Sequence, residues 1–372
     1  MVAGETSGDL LAASMLPHLK DATSAGIGGP AMQAAGFEAW WPSELLAVRG
    51  YVEVLKAYPR LLALRGQLTR RMQQWQPSVF VGVDAPDFNL ELERRLRVAG
   101  MRSVHFIGPS IWAWRPERIE RIRASANHVL LLFPFEKPIY DRAGIAATYV
   151  GHPMADEIPL QVDTVAARRA LGLRLDHPVV AVLPGSRASE IESIAPVFIE
   201  TMATLARLRP ELQFVLPAAT PRLQTRLQHL LRPLAQAGVS ASLLDGHARE
   251  AIAAADAVLV ASGTATLEVA LLRKPMVIAY RMAEISYRIM RRMKLLPWIG
   301  LPNILCNDTV VPEFIQHEAT PGALARAVLA QLDAPDSARE RLAQRFEALH
   351  LALRCNCGRQ AASAVLELAR TP

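Results

Sequence analysis

Short apolar runs rich in β-branched residues alternate along this chain with longer segments of helical period. Such alternation is typical of βαβ units and parallel sheets. The pattern predicts strands at 79–83, 104–107, 129–133 and 148–150 in the first half, and at 179–183, 213–216, 242–244, 257–261 and 276–280 in the second. Helices are predicted between them, for example at 163–171 and 196–208. We therefore expect an α/β protein with two successive parallel sheets.

The changeover between the two sets of strands falls at Gly151-His152-Pro153. Proline disfavours helix at the residue before it, and the segment up to Pro159 lacks periodicity. We expect two Rossmann-like domains, at 1–152 and 153–338, facing a central cleft. A C-terminal helical segment at 339–372, broken around 355–358, is expected to pack back on the N-terminal domain or on a second subunit. Ligands in such folds bind at the carboxyl ends of the strands.

Composition narrows the class of protein. The 372 residues are 51% apolar and 20% charged, which excludes long disorder and leaves room for about two domains. The net charge of +6 favours acidic partners such as phosphates, nucleic acid or anionic lipid headgroups. The sequence lacks a secretory signal and a spanning apolar stretch, so we expect a cytoplasmic protein. Its three cysteines are expected to be reduced, and no cluster predicts a metal site.

Acidic side chains follow two predicted strands of the first half. Glu5 and Asp9 lie in a glycine-containing turn, where two carboxylates suit sugar hydroxyls better than phosphate. Asp84 and Asp87 follow the strand at 79–83, and Pro86 fixes the turn that carries them. Either is a candidate general base, and we favour Asp87 because Asp84 is closer to the strand end. The alternative is that these residues only cap the following helices.

Phosphate-binding features occur in the second half. Arg187, beside a glycine and a serine, has the fork geometry that suits a diphosphate. Ser262-Gly263-Thr264 ends a strand and begins a helix, where backbone N–H groups attract phosphate. Glu268 is placed one turn further on to accept ribose hydroxyls. Helix capping and Glu–Arg pairing are the alternative for each motif, and their joint occurrence favours a nucleotide-linked donor.

Two stretches mix basic and large apolar residues as membrane-surface segments do. One is Tyr287–Trp298. The other contains Trp40, Trp41, Val48, Tyr51, Val54, Leu55, Leu61 and Leu62 with Arg49, Lys56, Arg60 and Arg65 interleaved. The first is equally consistent with a helix that has a solvated basic face, and the second with core. Trp112 and Trp114 beside Arg115 could stack on a sugar or base, but no RNA-binding motif surrounds them, so no nucleic-acid partner is expected.

In order and spacing, the motifs GETSGD, VGVDAPDFN, SIWAWR, PFEK, GHPMAD, LPGSR, ASGTATLE, YRM, LPN and RCN resemble the lipid-A-disaccharide synthase family over almost the whole chain. The resemblance implies an inverting glycosyltransferase of the two-Rossmann GT-B type that needs no metal or other cofactor. It joins UDP-2,3-diacylglucosamine to 2,3-diacylglucosamine 1-phosphate (lipid X) and releases UDP. The expected site is the cytoplasmic face of the Gram-negative inner membrane, with peripheral attachment and a homodimer formed through the C-terminal segment.

The resemblance also assigns roles by position. Asp87 and Glu5 are the expected catalytic residues. The expected donor-binding residues are Gly185, Ser186, Arg187, Ser262, Gly263, Thr264, Glu268, Tyr280, Arg281 and Asn303, and the expected acceptor-binding residues are Ser7, Asp9, Asp84, Asn89 and Trp112. Two other functions stay open: a UDP-sugar epimerase of the same fold, and a non-catalytic lipid-binding protein. Relative to the family, the segment before Gly4 is short, so we expect a short first strand.

Overall fold

The computed structural model describes residues 1–20, 22–46 and 51–370, with the backbone alone described at residues 6, 51–57 and 285. The chain forms two compact units. The first unit comprises Met1–Glu157 and Ala352–Pro372, and the second comprises Ile158–Leu351. These divisions lie a few residues from the expected boundary at 152/153 and more than ten from that at 338/339, so the exact domain limits stay a prediction.

The first unit is built on a seven-stranded parallel sheet. Its strands are β1 (Val2–Ala3), β2 (Ala25–Gly28), β3 (Glu38–Pro42), β4 (Phe80–Val83), β5 (Ser103–Phe106), β6 (His128–Leu131) and β7 (Ala147–Tyr149). They lie in the order β3-β2-β1-β4-β5-β6-β7. The strand order therefore reverses between β1 and β4, which pair directly through Val2 with Gly82 and Ala3 with Val83.

Eight helices belong to the part of the first unit that the structure describes. They are α1 (Thr6–Met15), α2 (Pro30–Ala34), α3 (Tyr51–Trp75), α4 (Pro86–Val98), α5 (Arg118–Ser125), α6 (Lys137–Arg142), α7 (Pro153–Glu157) and the last helix of the chain, α17 (Cys357–Arg370). The central strands are buried on both faces, as expected when helices cover both sides of a parallel sheet. Ala361, Ala362 and Val365 of α17 join a core cluster with Leu11 and Met15 of α1.

The second unit repeats the architecture with six parallel strands. They are β8 (Val179–Leu183), β9 (Gln213–Ala218), β10 (Ala241–Asp245), β11 (Ala257–Ala261), β12 (Met276–Tyr280) and β13 (Glu313–Ile315), in the order β10-β9-β8-β11-β12-β13. The helices that begin in it are α8 (Thr164–Ala170), α9 (Ala188–Leu208), α10 (Pro221–Gln236), α11 (Ala248–Ala254), α12 (Thr264–Leu271), α13 (Glu284–Met293), α14 (Leu301–Cys306), α15 (Pro321–Leu332) and α16 (Asp336–Leu353). Here the order reverses between β8 and β11.

The α/β prediction with two parallel sheets is confirmed, and each strand predicted from the apolar runs is present. Short β1 is present as expected, and the helical end is broken between α16 and α17. The pattern missed β2, β3 and β13, because these strands carry glycine, proline or too few residues to stand out. In the part of the chain that the structure describes, no helix is both long and apolar enough to cross a bilayer.

Candidate active site

Two acidic residues meet where the strand order of the first unit reverses. Glu5 follows β1 and begins α1, and Asp84 follows the neighbouring strand β4. Burial raises the pKa of the Asp84 carboxyl, and the nearby Glu5 carboxylate raises it further, while a backbone hydrogen bond at Ala85 and the nearby His105 lower it. Since ligands bind at such reversals in open parallel sheets, this is a candidate binding site for a polar substrate.

Asp87 lies in the first turn of α4 with its carboxylate in solvent, where the side chain is 76% exposed. Its Oδ1 is 3.3 Å from Nη2 of Arg118 and 3.6 Å from Nη1 of Arg121, both on α5. The guanidinium groups fix the position of the carboxylate, and its exposure leaves it accessible to a substrate hydroxyl. Among the predicted acidic residues, Asp87 best combines a carboxylate that is held by arginines with exposure to an incoming substrate, as a general base requires.

The turn between β4 and α4 is held in an uncommon conformation. Asp84 and Ala85 both adopt left-handed backbone, with φ of 51° and 44°, which residues with a side chain rarely do. Buried Asn89 donates from Nδ2 to the carbonyl oxygens of Asp84, Val83 and Val2, at 2.8, 3.2 and 3.3 Å. Asn89 therefore holds the turn between β4 and α4 and ties it to β1. Its expected contact with the acceptor stays a prediction.

Asp9 is likewise part of the scaffold. Its side chain is buried, and its carboxylate oxygens accept hydrogen bonds from the backbone N–H groups of Gly29, Ala31 and Met32 at 2.9, 2.9 and 3.1 Å. It thus caps α2, where a negative charge suits the N-terminal end of the helix dipole. The structure gives Asp9 this capping role, and its expected contact with the acceptor stays a prediction. Ser7 is exposed in the first turn of α1.

Trp112 connects two loops at the same edge of the sheet. Its indole N–H donates to Oε1 of Glu136 at 3.0 Å, and its ring lies edge-on to Phe135 with centroids 5.0 Å apart. Glu136 also accepts from the backbone N–H of Phe133, and burial raises the pKa of this carboxyl to about 7. Trp112 remains partly accessible to solvent. Its contact with an acceptor stays a prediction.

A buried Glu93–His105 pair was missed by the sequence reasoning. Nδ1 of His105 on β5 lies 2.7 Å from Oε1 of Glu93 on α4, and both side chains are fully buried. Burial raises the pKa of Glu93, and the neighbouring His105 lowers it. The sequence feature that indicates this pair is Gly82 in the middle of β4, because a Cβ there would lie 2.1 Å from Oε1 of Glu93.

Three expected donor residues converge where the strand order of the second unit reverses. Arg187 follows β8, Ser262 follows β11, and Tyr280 ends β12, which pairs with β11. Burial raises the pKa of Tyr280; the nearby Glu190 raises it further and Arg187 lowers it, so these side chains share one environment. The guanidinium of Arg187 is 54% exposed and faces solvent beside this group.

The Glu190 carboxylate accepts hydrogen bonds from backbone N–H groups of the loop after β8. Its Oε2 accepts from the backbone N–H groups of Ser186 and Arg187 at 3.0 and 3.3 Å, and its Oε1 lies 3.5 Å from Nη1 of Arg187. Gly185 precedes this loop with a φ of 112°. Because the loop N–H groups bond to the chain's own carboxylate, the exposed guanidinium of Arg187 is the group of this loop left for an anion.

The N-terminus of α12 is open. Gly263 is the N-cap residue, and no described side chain bonds to the first amides of the helix. Gly263 and Thr264 are exposed, while Ser262 donates from its hydroxyl to the carbonyl oxygen of Ile299 at 3.1 Å. An uncapped helix N-terminus that carries small residues provides N–H donors and a favourable dipole for phosphate. Glu268, one turn further on, pairs with Arg249 at 3.3 Å.

Two expected donor residues have structural roles. Asn303 is fully buried: it donates to Val311 and Glu313 and accepts from the backbone N–H groups of Val310 and Val311, all at 2.8 to 3.0 Å. Arg281 donates to the carbonyl oxygens of Gln316 and Ala319. These bonds hold the loops around β13, and the expected contacts of Asn303 and Arg281 with the donor stay predictions.

Two further features of the described residues concern a surface groove and the possibility of a metal site. A groove of about 420 Å³ lies among α9, α10 and the start of α15, on the helical layer and away from the strand ends. Among residues 1–20, 22–46 and 51–370 no group of histidine, cysteine and acidic side chains is arranged to hold a metal ion.

Two parallel sheets with these sites define an α/β protein of the GT-B glycosyltransferase type, and comparisons of structure agree. UDP-GlcNAc 2-epimerase from Neisseria meningitidis bound to UDP-GlcNAc aligns with 97% of this chain and 96% of its own, with a TM-score of 0.64 and 11% identity. MurG from Acinetobacter baumannii aligns with 99% and 98%, with a TM-score of 0.58 and 14% identity. WaaG, a glycosyltransferase involved in lipopolysaccharide biosynthesis, gives a TM-score of 0.55 at 12% identity over 98% and 96% of the two chains.

Sequence comparisons are more specific. The family model described as Lipid-A-disaccharide synthetase matches residues 1–365. The lipid-A-disaccharide synthase of Aromatoleum aromaticum is 52% identical over 377 aligned positions, which cover 100% of this chain and 96% of the relative. The enzyme of the same name from Burkholderia mallei strain SAVP1 is 54% identical, over 98% of this chain and 95% of the relative. The chain belongs to the lipid-A-disaccharide synthase family, and the resemblance of its motifs is confirmed.

Proposed function

We propose that this chain transfers 2,3-diacylglucosamine from UDP-2,3-diacylglucosamine to 2,3-diacylglucosamine 1-phosphate with inversion, giving the β-1,6-linked lipid A disaccharide 1-phosphate and UDP. Lipid A disaccharide synthesis is the function of its family, and the chain is a glycosyltransferase. The observation that supports the chemistry best is the exposed Asp87 carboxylate, fixed by two arginines beside the strand-order reversal of the first unit.

Asp87 acts as the general base in the proposed mechanism. It takes the proton of the acceptor 6-hydroxyl while that oxygen attacks the anomeric carbon of the donor from the face opposite UDP. The bond between the anomeric carbon and the UDP oxygen breaks, and its electron pair leaves with UDP. Glu5 and Asp84 accept hydrogen bonds from other acceptor hydroxyls, and exposed Ser7 adds a further contact.

The second unit stabilises the charge that develops on UDP. The guanidinium of Arg187 and the open N-terminus of α12 at Gly263–Thr264 bind the diphosphate, since both present N–H donors to solvent at the same strand-order reversal. Glu268 accepts the ribose hydroxyls, with Arg249 holding its carboxylate. Tyr280 lines the same site. Transfer by these groups needs no further cofactor.

One assay tests the reaction and its base together. Both acylated glucosamine substrates are mixed with the protein, and UDP and disaccharide are followed in parallel. Asp87→Asn should lower kcat on the order of 100-fold or more, because it removes the proton acceptor, while UDP binding stays within about twofold. Asp141→Asn, which changes an exposed carboxylate paired with Lys137 on α6, is the control. Undiminished transfer by Asp87→Asn excludes this residue as the base.

An epimerase is the second candidate, because the fold likeness to UDP-GlcNAc 2-epimerase covers both units. That reaction needs no acceptor. Incubation with the UDP-sugar alone separates the two functions: an isomerised UDP-sugar supports epimerisation, and a disaccharide that forms only with both substrates supports transfer. A non-catalytic lipid-binding protein would give neither product.

We also propose peripheral attachment to the anionic cytoplasmic face of the inner membrane through α13 and the residues after it. Ile289, Met290 and Leu295 are each at least half exposed, and they lie among the exposed basic residues Arg291 and Arg292. Exposed apolar side chains among cations suit the boundary of an anionic bilayer. In the other basic and apolar stretch, Val48 and Arg49 lie outside the described residues, while Trp40 and Trp41 pack beside a core cluster.

Vesicle sedimentation tests this attachment. Ile289→Ser combined with Met290→Ser should reduce binding to vesicles that contain anionic lipid, while Leu208→Ser, which removes an equally exposed leucine at the end of α9, should not. Equal binding by all three proteins would place the membrane surface elsewhere. The homodimer implied by the family resemblance stays a prediction, which light scattering of the purified protein tests.

A further inference from the structure

Arginines crowd around Asp87. Arg118 and Arg121 lie one turn apart on α5, and both reach the same oxygen of the Asp87 carboxylate. The guanidinium of Arg115 lies 4.7 Å from the ring centroid of Trp114, and that of Arg118 lies 5.3 Å from the same ring. Both guanidinium groups thus contact the same indole ring. We name Arg115, Arg118 and Arg121 the arginine cluster.

Positive charge exceeds negative charge in this region. Asp87 is the carboxylate paired with Arg118 and Arg121 among the described residues, and no described carboxylate lies within ion-pair distance of Arg115. The neighbouring acids are engaged elsewhere, since Glu120 pairs with Arg123 and Glu91 with Arg94 and Arg95. Arg118 and Arg121 therefore share one exposed carboxylate, and Arg115 has no ion-pair partner among the described residues, which leaves capacity for a second anion.

A buried arginine beneath α4 adds to the positive potential. Arg65 of α3 is 9% exposed and donates from Nη2 to the main-chain oxygen of Asp87 at 3.1 Å. Its Nε is buried without a hydrogen-bond partner. The guanidinium lies 4.9 Å from the Phe88 ring centroid, which fixes it behind the Asp87 turn. A buried cation with an unused donor at this position points to a site built for negative charge.

We propose that the arginine cluster binds the phosphate monoester of the acceptor sugar and so selects acceptors that carry a 1-phosphate; this inference rests on the proposed function. The forked guanidinium group matches phosphate oxygens in a bidentate geometry. In the pyranose ring, C1, which carries the phosphate, and C5, which carries the 6-hydroxymethyl group, both flank the ring oxygen. A phosphate on the outer edges of the cluster therefore leaves the neighbouring 6-hydroxyl within reach of the Asp87 carboxylate.

The same arrangement links recognition to reactivity. When phosphate binds, it competes with Asp87 for Arg118 and Arg121. A carboxylate oxygen that is released from a guanidinium group is free to accept another hydrogen bond. The phosphate thereby frees Asp87 for the 6-hydroxyl of the same sugar. No additional reactant is needed, because the transferred proton still moves from the 6-hydroxyl to Asp87.

A comparison of two acceptors tests the proposal. Initial rates are measured for wild type and Arg121→Gln with 2,3-diacylglucosamine 1-phosphate and with its dephosphorylated form. Arg121→Gln should lower kcat/KM for the phosphorylated acceptor on the order of tenfold more than for the dephosphorylated acceptor, as expected for one charge-assisted contact with the phosphate. Any effect that it has through the position of Asp87 acts on both acceptors alike. Arg123→Gln, on the same helix but paired with Glu120, should leave both unchanged. Equal effects of Arg121→Gln on the two acceptors overturn the proposal.

A binding measurement keeps this result separate from the proposed function. Quenching of Trp114 fluorescence, identified by its loss in Trp114→Phe, is titrated with each acceptor in the absence of donor. Tighter binding of the phosphorylated acceptor, weakened about tenfold in Arg121→Gln, supports the cluster even if no disaccharide forms, in which case the transferase function alone fails. If Arg121→Gln instead weakens binding to substrate-free anionic vesicles by the same factor, the cluster binds lipid headgroups and the proposal is wrong.

Discussion

Glu136 is a buried carboxylic acid whose surroundings change its titration. Burial raises its pKa to about 7, although the indole of Trp112 and the backbone N–H of Phe133 both donate to it. The folded protein therefore binds a proton here more tightly than the unfolded chain, in which the pKa is near 4.5. It follows that the contribution of Glu136 to the free energy of unfolding falls as the pH rises from about 4.5 to about 7.

The first prediction concerns this pH dependence. Between pH 5 and pH 8, wild type should lose about 2.5 kcal/mol more unfolding free energy than Glu136→Gln, since a shift of one pKa unit corresponds to about 1.4 kcal/mol and part of the shift lies below pH 5. Urea denaturation at several pH values measures the difference. Glu120→Gln, which removes an exposed carboxylate on α5, should follow wild type. Parallel curves for wild type and Glu136→Gln would contradict the assignment.

A second prediction at the residue scale uses Gly82. A methyl group there would overlap Oε1 of Glu93, which is already in a short hydrogen bond with His105. Gly82→Ala should therefore lower the free energy of unfolding by roughly 2 to 4 kcal/mol. Gly66→Ala is the matched control, because a Cβ at Gly66 meets nothing within 4 Å and alanine favours the helix. Thermal unfolding of the two variants should shift in opposite directions.

At this scale the sequence predicts which residues lie at strand ends, but it does not predict which of them bond to partners elsewhere in the fold. It placed Asp87 and Arg187 at strand ends, where both are exposed. Asp9 and Asn303 also lie in sequence motifs that predict a binding site. In the structure, Asp9 accepts from the backbone at the start of α2, and Asn303 bonds to the loop before β13. Those partners are brought close only by tertiary packing, which a motif does not contain.

At the scale of elements, the open end of α12 is the feature with the clearest consequence. Gly263 has a φ of 156°, and a Cβ there would meet nothing within 4 Å, so an alanine would be strained by its backbone alone. Gly263→Ala should shift the first amides of α12 and raise KM for the UDP-sugar severalfold, with a smaller effect on KM for the acceptor. Gly322→Ala in the first turn of α15 serves as the control. Unchanged donor KM would argue against α12 as the phosphate site.

The sequence pattern predicts some strands more clearly than others. Val179–Leu183 and Ala257–Ala261 are unbroken apolar runs and were predicted with their observed bounds, because strands buried on both faces need apolar residues at every position. Glu38–Pro42 lies at the edge of its sheet and is partly exposed, so its composition carries no such constraint. Glu313–Ile315 is the corresponding case at the edge of the other sheet.

On the scale of the whole molecule, α17 completes the first unit from the far end of the chain. Its backbone is tied to α7 by hydrogen bonds from the N–H groups of Asn356 and Cys357 to Asp156, and its apolar face lies on α1. Ala361→Asp places a charge in that core and should destabilise the first unit by roughly 3 kcal/mol or more. Transfer activity should fall, while UDP binding, assigned to the second unit, persists.

Ser363→Asp provides the comparison for this prediction, because Ser363 is on the same helix but exposed. It should retain both activity and stability. Urea unfolding and UDP titration of the two variants test whether the two units behave independently. If Ala361→Asp loses UDP binding together with transfer, they do not.

The two-segment construction of the first unit also sets an order for its folding during synthesis. The ribosome produces Met1–Glu157, then all of Ile158–Leu351, and only then the helix that covers α1. The nascent first unit therefore exposes the apolar surface around Leu11 and Met15 for as long as the second unit is being translated. The first unit, in which we propose that the proton is accepted, is the last to be finished. The second unit, which we propose binds the nucleotide, can therefore fold before an active enzyme exists.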